Sequence, residues 1–376
     1  MTALADDLKR RIADDGPISV AAFMDAALTH PRFGYYMGRD PFGRGGDFVT
    51  APEISQMFGE LIGLWCAVQW QAMGGPDPVN LVELGPGRGT LMADMLRAGA
   101  GAEGFVESLS VSLVEISPTL KTAQEDALAA AKEALKPGAL QWRNDFSEVP
   151  DGPLLIVANE FLDALAVRQF QKTSEGWRER MIGLSEDGAD DNKGFQFVLA
   201  EAPTNDADFP PDFPEAGEGD IFEFRPAASG LAEAIAGRLV RHPGVALIID
   251  YGHGESAVGD TLQAVKDHQY QDPLAGPGEA DLTAHVNFAA FGRAAAAAGA
   301  EAAGPVSQGE FLQMLGIGVR AEALMAAEPA QAREIEAALA RLTSEQAMGR
   351  LFKVMALLSP GMAPPPGFEQ GPPFGE

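Results

Sequence analysis

Between residues 79 and 158 four short, mostly apolar runs, each with a polar residue at or beside its end, constrain the fold of this chain more than any other feature. Val79–Leu84, Val111–Ile116, Ala139–Arg143 and Leu154–Ala158 read as strands, and a fifth candidate is Val245–Asp250. Helical patterns over 90–98 and 118–135, or short loops, separate the first four. Strands alternating with helices predict a parallel, doubly wound α/β sheet. A late run, 351–359, reads as a terminal strand.

The rest of the chain is organised around that core. Residues 1–75 read as helical, with Ser19 as a cap, Pro31 as a stop, and Thr50 and Glu53 at capping-box spacing ahead of an apolar helix. Gly74 and Gly75 end that helix, and the glycine-rich 38–50 reads as a shaped loop. Residues 171–226 are acidic and rich in turn residues, with strand-like pieces, which predicts an insertion with its own antiparallel strands. From Pro360 the chain is so rich in Pro and Gly that disorder is expected. The expected division is 1–75 helical segment with its glycine-rich loop, 76–170 first half of the sheet domain, 171–240 inserted acidic subdomain, 241–360 second half and 361–376 tail.

Composition excludes several classes. A 46% hydrophobic content supports a real core, and a net charge of −27 argues against nucleic acid as a partner. The single cysteine, Cys66, rules out disulfides and cysteine metal clusters, and reads as a small core residue. No apolar run is long enough to span a membrane, so no membrane insertion is expected. The first fifteen residues lack an apolar signal core and carry acids as well as bases, which leads to a cytoplasmic expectation.

The strand ends carry the chemistry. "NLVELGPGRGTLMADML" is strand, glycine loop and helix start, with Gly85, Pro86, Gly87 and Gly89 at the turn. A tight turn alone would also use these glycines, but the dinucleotide pattern G-x-G-x-x-G fails at Thr90, and Glu83 precedes the loop. A carboxylate there repels pyrophosphate and suits a cationic amino group, which matches S-adenosyl-L-methionine better than a nicotinamide dinucleotide. Glu115, at the second strand's end, can accept both hydroxyls of a ribose, unless it is only an exposed surface acid. Asn144 and Asp145 end the third strand, where they can read an adenine amino group or simply make a turn.

At this point the chain resembles the MidA-like family of S-adenosylmethionine-dependent methyltransferases. The resemblance is carried by "HPRFGYY" (30–36), "GDFVTAPEISQMFGELIG" (46–63), "LVELGPGRGTL" (81–91), "NEFLDALAVRQF" (159–170), "DYGHG" (250–254), 259–288, 308–317 and 348–359. It implies a seven-stranded class I, Rossmann-like methyltransferase sheet with cofactor at Gly85, Gly87, Gly89, Glu115–Ile116 and Asn144–Asp145. It implies that Gly46–Thr50, including Asp47, Phe48 and Thr50, folds over the cofactor. It also implies a protein substrate, since mitochondrial members methylate arginine and assist respiratory complex I assembly. Asn287 departs from the family's expected Asp.

"LLIVANEFLDAL" then gains a meaning. Arginine stays protonated, so carboxylates that hold its planar fork help aim one nitrogen at a methyl group. Glu160 and Asp163, with Asn159 to orient the nucleophile or cofactor, are the candidate catalytic residues; capping a turn or pairing with Arg168 is the alternative. Tyr251, His253 and His268 are substrate-side candidates, while Asp281 reads as the cap of a helix over 282–291 with His285 facing inward. The histidine and acid spacings match no compact metal set. A small-molecule methyltransferase, or an assembly factor that binds a partner without turnover, stand as the other readings. Oligomeric state is not readable.

Overall fold

The computed structural model describes residues 2–38, 41, 49–185, 194–205, 209 and 215–369. Its main sheet runs, in spatial order, Glu301–Ser307, Phe352–Leu358, Gly244–His253, Leu154–Asn159, Val79–Leu84, Leu109–Val114 and Leu140–Arg143. The last five strands of that order pair in parallel. Phe352–Leu358 is antiparallel to both of its neighbours. A two-residue strand, Val286–Asn287, adds to the end of Gly244–His253.

The chain enters this sheet at Val79–Leu84, steps outward twice, and then returns to the other side of its first strand as Leu154–Asn159. The order therefore reverses between these two strands, and a crevice opens beyond their carboxyl ends. Both strands are buried along their whole length. That explains why Leu154–Ala158 reads as a continuous apolar run and why Val79–Leu84 is interrupted only by the buried Asn80 and Glu83. One face packs against the helices Gln56–Ala72 and Thr90–Gly99, the other against Pro226–Arg241 and Phe288–Ala297.

The inserted stretch forms a separate antiparallel sheet from Arg168–Thr173, Gly176–Leu184, Phe195–Leu199 and Ile221–Phe224. Ile18–Ser19, in a segment expected to be helical, pairs with Met181 and Ile182 at its edge. The N-terminal helices Ala3–Asp15 and Val20–Thr29 share a hydrophobic cluster with that sheet and with Leu282.

Three local expectations are corrected. The helix from Thr50 is broken into Ala51–Ile54 and Gln56–Ala72, and Thr50 makes no side-chain cap; Ser55 caps the second piece through Met57 N. Asp281 begins a short strand, and the helix after it starts at Phe288, capped by Asn287 through Ala290 N at 3.0 Å. A neutral amide caps as well as a carboxylate, so the departure at Asn287 removes no structural role. Residues 360–369 pack rather than trail: Phe368 is buried against Phe311, and Trp65 donates to Pro366 O at 3.0 Å. Phe368, a single aromatic residue among the prolines, supplies an anchor that composition alone conceals. Residues 370–376 lie outside the described residues.

Candidate active site

A cavity of about 1050 Å³ opens where the strand order reverses. Gly85, Gly87, Glu115, Ile116, Asn144 and Asp145 line it, with Glu160 and Phe161 from the fourth strand's end. A narrower cavity beside it is bounded by Thr50, Glu53, Glu83, Pro86, Asn159 and Glu160, among others. The structure thus brings together the ends of four strands that are remote in sequence. Asp47 and Phe48, expected over the cofactor, lie outside the described residues.

The glycine loop is shaped for close approach. Gly85 sits at φ +63°, and a Cβ there would fall 2.6 Å from the Phe161 ring. Gly89, at φ +82°, would meet Gln124 at 3.2 Å. Only glycine satisfies both the left-handed backbone and the contact.

Glu115 is buried; its two carboxylate oxygens accept from Ser117 N at 2.7 Å and from Gln124 Nε2 at 3.2 Å. Burial raises its pKa, and those bonds only partly offset it. Gln124 was not anticipated. It also donates to Gly87 O at 2.8 Å and accepts from Trp142 Nε1 at 2.8 Å, so one amide links glycine loop, acidic strand end and third strand. Its position one turn past Leu120, on the buried face of Pro118–Ala127, is the only local signal. Tyr36 was also missed as a lining residue; its hydroxyl donates to both Asp281 oxygens at 2.9 Å, and its carbonyl accepts from Ser117 Oγ. Asn144 accepts from Lys121 at 2.8 Å, and Asp145 caps the turn that follows.

The carboxylates beneath this cavity share one electrostatic condition. Burial, reinforced by Glu115, pushes Glu83 up to about 8 although the Met92 backbone N–H donates to the carboxyl, and among the described residues its Oε2 has no hydrogen-bond partner. Burial pushes Glu160 up to about 7 although Ala51 N, at 3.1 Å, and Asn159 Nδ2, at 3.2 Å, both donate to its Oε1. Such a set favours a cationic ligand, because a nearby positive charge restores each group's ionised form. A buried acid with one unsatisfied oxygen, a second acid at the next strand end and a loop without Cβ atoms together fit S-adenosyl-L-methionine.

Glu160 is also a backbone outlier, a non-glycine residue at φ +51° whose N–H donates to Ile249 O at 2.9 Å. This conformation costs on the order of 1–3 kcal/mol and recurs at functional sites. Asp163 turns away from the cavity. Its N–H donates to Asp250 Oδ2 at 3.1 Å, its carboxylate meets Tyr251, and it does not pair with Arg168, which binds Glu179 through two bonds of 2.7 and 2.9 Å. Tyr251 is half-buried beside it, packed edge-on to His285. His253 bonds the Glu255 carbonyl at 2.5 Å, and His268 sits on an exposed hairpin turn at φ +60°; neither lines the cavity. Among the described residues no three His, Cys, Asp or Glu side chains are grouped to hold a metal ion. Cys66 is buried, its thiol pushed up to about 12.

Comparison with known proteins decides the family. The profile described as S-adenosyl-L-methionine-dependent methyltransferase matches residues 61–306. The chain belongs to this family. The methyltransferase is 40% identical over 380 residues to the Drosophila melanogaster protein named protein arginine methyltransferase NDUFAF7 homolog, mitochondrial, covering 96% of this chain and 85% of that one. It is 38% identical over 377 residues to the Mus musculus protein arginine methyltransferase NDUFAF7, mitochondrial, covering 95% and 85%. A Burkholderia thailandensis structure bound to S-adenosyl-homocysteine superposes with a TM-score of 0.85 at 32% identity, covering 98% of this chain and 95% of that one. These matches give the methyltransferase its α/β methyltransferase fold, its enzyme class and its cofactor. They also correct the cytoplasmic expectation: the relatives are named as mitochondrial, and the make-up of fifteen N-terminal residues carried no information against that. Among the described residues no helix is long and apolar enough to cross a membrane.

Proposed function

We propose that the methyltransferase modifies an arginine side chain of a protein partner, with Glu160 holding the guanidinium. The observation that carries this reading is Glu160 itself. It is an acid at a strained left-handed position, borders both cavities and is raised to about 7 by burial. S-adenosyl-L-methionine supplies an electrophilic methyl for a single in-line displacement, so the chain's task is to orient the nucleophile and manage its charge. A guanidinium beside Glu160 draws the carboxyl into its ionised form, and the resulting fork leaves one nitrogen to be aimed. Asn159, joined to Glu160 through its amide, helps to orient that group. Asp163, buried behind the cavity wall, supports the loop carrying Glu160 rather than touching substrate.

The remaining assignments belong to the same proposal. Gly85, Pro86, Gly87 and Gly89 cradle the cofactor, Glu83 faces its amino group, Glu115 its ribose, and Ile116, Asn144 and Asp145 its adenine. The methyltransferase sheet is the seven-stranded class I type, with the inserted sheet on the substrate side. The names of the relatives favour arginine, and the respiratory complex I subunit implied by the family resemblance would be such a partner. Labelled-methyl transfer into a cell extract, followed by acid hydrolysis, is the test. The label is expected in methylarginine; label confined to small molecules would overturn the assignment.

A further inference from the structure

The segment "TAPE", Thr50–Glu53, has capping-box spacing but does not cap itself: Thr50 makes no side-chain cap, and the Glu53 carboxylate and the Ala51 amide bind elsewhere. Ala51 N–H, at the start of the short helix, donates to Glu160 Oε1 at 3.1 Å. Glu53 Oε1 accepts from the hydroxyl of Thr90, the first helical residue after the glycine loop, at 2.5 Å. Its other oxygen lies 3.9 Å from Arg88 in the loop itself. Glu53 N–H donates back to Thr50 O at 2.9 Å, which closes the turn between these two anchor points. On the far side Arg341, from helix Ala332–Thr343, donates to Val49 O at 3.3 Å. Thr50, Glu53, Thr90 and Glu160 all border the narrower cavity.

We propose that Glu53 is a positioning residue for methyl transfer: by binding Thr90 it locks residues 49–54 onto the glycine loop, which sets the Ala51 N–H that holds Glu160. The role assigned to Glu160 rests on the function proposed above; the lock does not. The geometry makes the carboxylate at the fourth strand's end depend on the cofactor loop of the first strand, through a segment more than one hundred residues upstream of Glu160. Several charged groups face Glu160: Asp163 on its own segment, Glu83 on the first strand, Asp250 on the fifth, Glu53 and Arg88 across the narrow cavity, and Arg341. Four of these six are acids, so losing the Ala51 bond shifts Glu160 in one direction, toward its protonated form.

The test uses the full chain with Thr90→Val, Glu53→Gln, the double variant and Thr90→Ser. Without cofactor, amide exchange over 49–54 is expected to run at least about tenfold faster in Thr90→Val, with no further gain in the double variant and recovery in Thr90→Ser. With tritiated S-adenosyl-L-methionine and cell-extract proteins, the transfer rate should fall about tenfold while cofactor Kd moves less than about threefold. The acid limb of the pH profile should move upward and return in Thr90→Ser. Unchanged exchange in both single variants would overturn the lock. Should Thr90→Val fail to fold, Glu53→Gln carries the same comparison. If Glu160→Gln proves active, the proposed function falls while the exchange measurement still decides the lock.

Discussion

Cofactor binding should expel a proton, and the structure says how much. Glu83 is raised to about 8 by burial and by Glu115, so at pH 7 roughly nine molecules in ten hold it protonated. The amino cation proposed to face it ionises the carboxyl, which releases about 0.9 proton per site at pH 7 and progressively less above pH 8. S-adenosyl-homocysteine is the informative ligand, because it keeps the amino group and lacks the sulfonium charge that would also ionise Glu160. Titration calorimetry in buffers of different ionisation enthalpy measures the released protons directly. Wild type should approach 0.9 with this ligand, and Glu83→Gln should fall close to zero. The same shift sets a stability trend in the ligand-free protein. A carboxyl whose folded pKa is raised stabilises fully below its ordinary value of 4.5, and that stability is lost as pH rises toward about 8. The rise from 4.5 to about 8 amounts to at most about 5 kcal/mol. Glu83→Gln should therefore flatten the fall in denaturant midpoint between about pH 5 and pH 8. Equal proton release in both proteins, or a flat wild-type stability profile, would refute the electrostatic reading of this strand end.

Other consequences follow from single contacts. Gly85→Ala places a Cβ against Phe161 at a positive φ, so it should cost about 1–3 kcal/mol in thermal unfolding and lower cofactor affinity in the same sample. Gln124→Leu strands the Trp142 N–H and removes a donor from Glu115; cofactor binding by calorimetry should weaken by about 2 kcal/mol, roughly thirtyfold. Arg225 donates to the carbonyls of Asp163, Leu165, Ala284 and His285, so Arg225→Met should lower the unfolding free energy by about 3–5 kcal/mol in urea titration. Because Glu160 sits near 7, kcat/KM should rise with pH through that value as the carboxyl ionises, and this limb should vanish in Glu160→Gln.

Much of the sheet was legible because its central strands are buried on both faces, and such burial is written as mostly apolar runs. Their polar ends were legible for the same reason: Glu83, Glu115, Asn144 and Asn159–Glu160 stand where an apolar run stops. The contacts between those ends were not. Gln124 looks like any polar helix residue until Trp142 and Gly87 close on it from other strands. Thr50 and Glu53 satisfied a local capping rule, but tertiary partners outcompeted it, Thr90 for Glu53 and Glu160 for the Ala51 amide. Asp163 lies three residues from Glu160, yet only Glu160 borders the cavities, while Asp163 is buried against Asp250 and Tyr251. His268 seemed close to the site by sequence neighbourhood, and a hairpin carries it outward.

The central claim is that a half-buried, strained glutamate holds the group to be methylated. The most direct measurement compares wild type with Glu160→Gln, which keeps size and hydrogen bonding but removes the charge. Methyl transfer from labelled S-adenosyl-L-methionine and the cofactor's Kd should be read on the same preparations. The account predicts transfer lowered by at least about a thousandfold with Kd changed less than about threefold. Transfer retained, or transfer and cofactor binding lost in equal proportion, would contradict it.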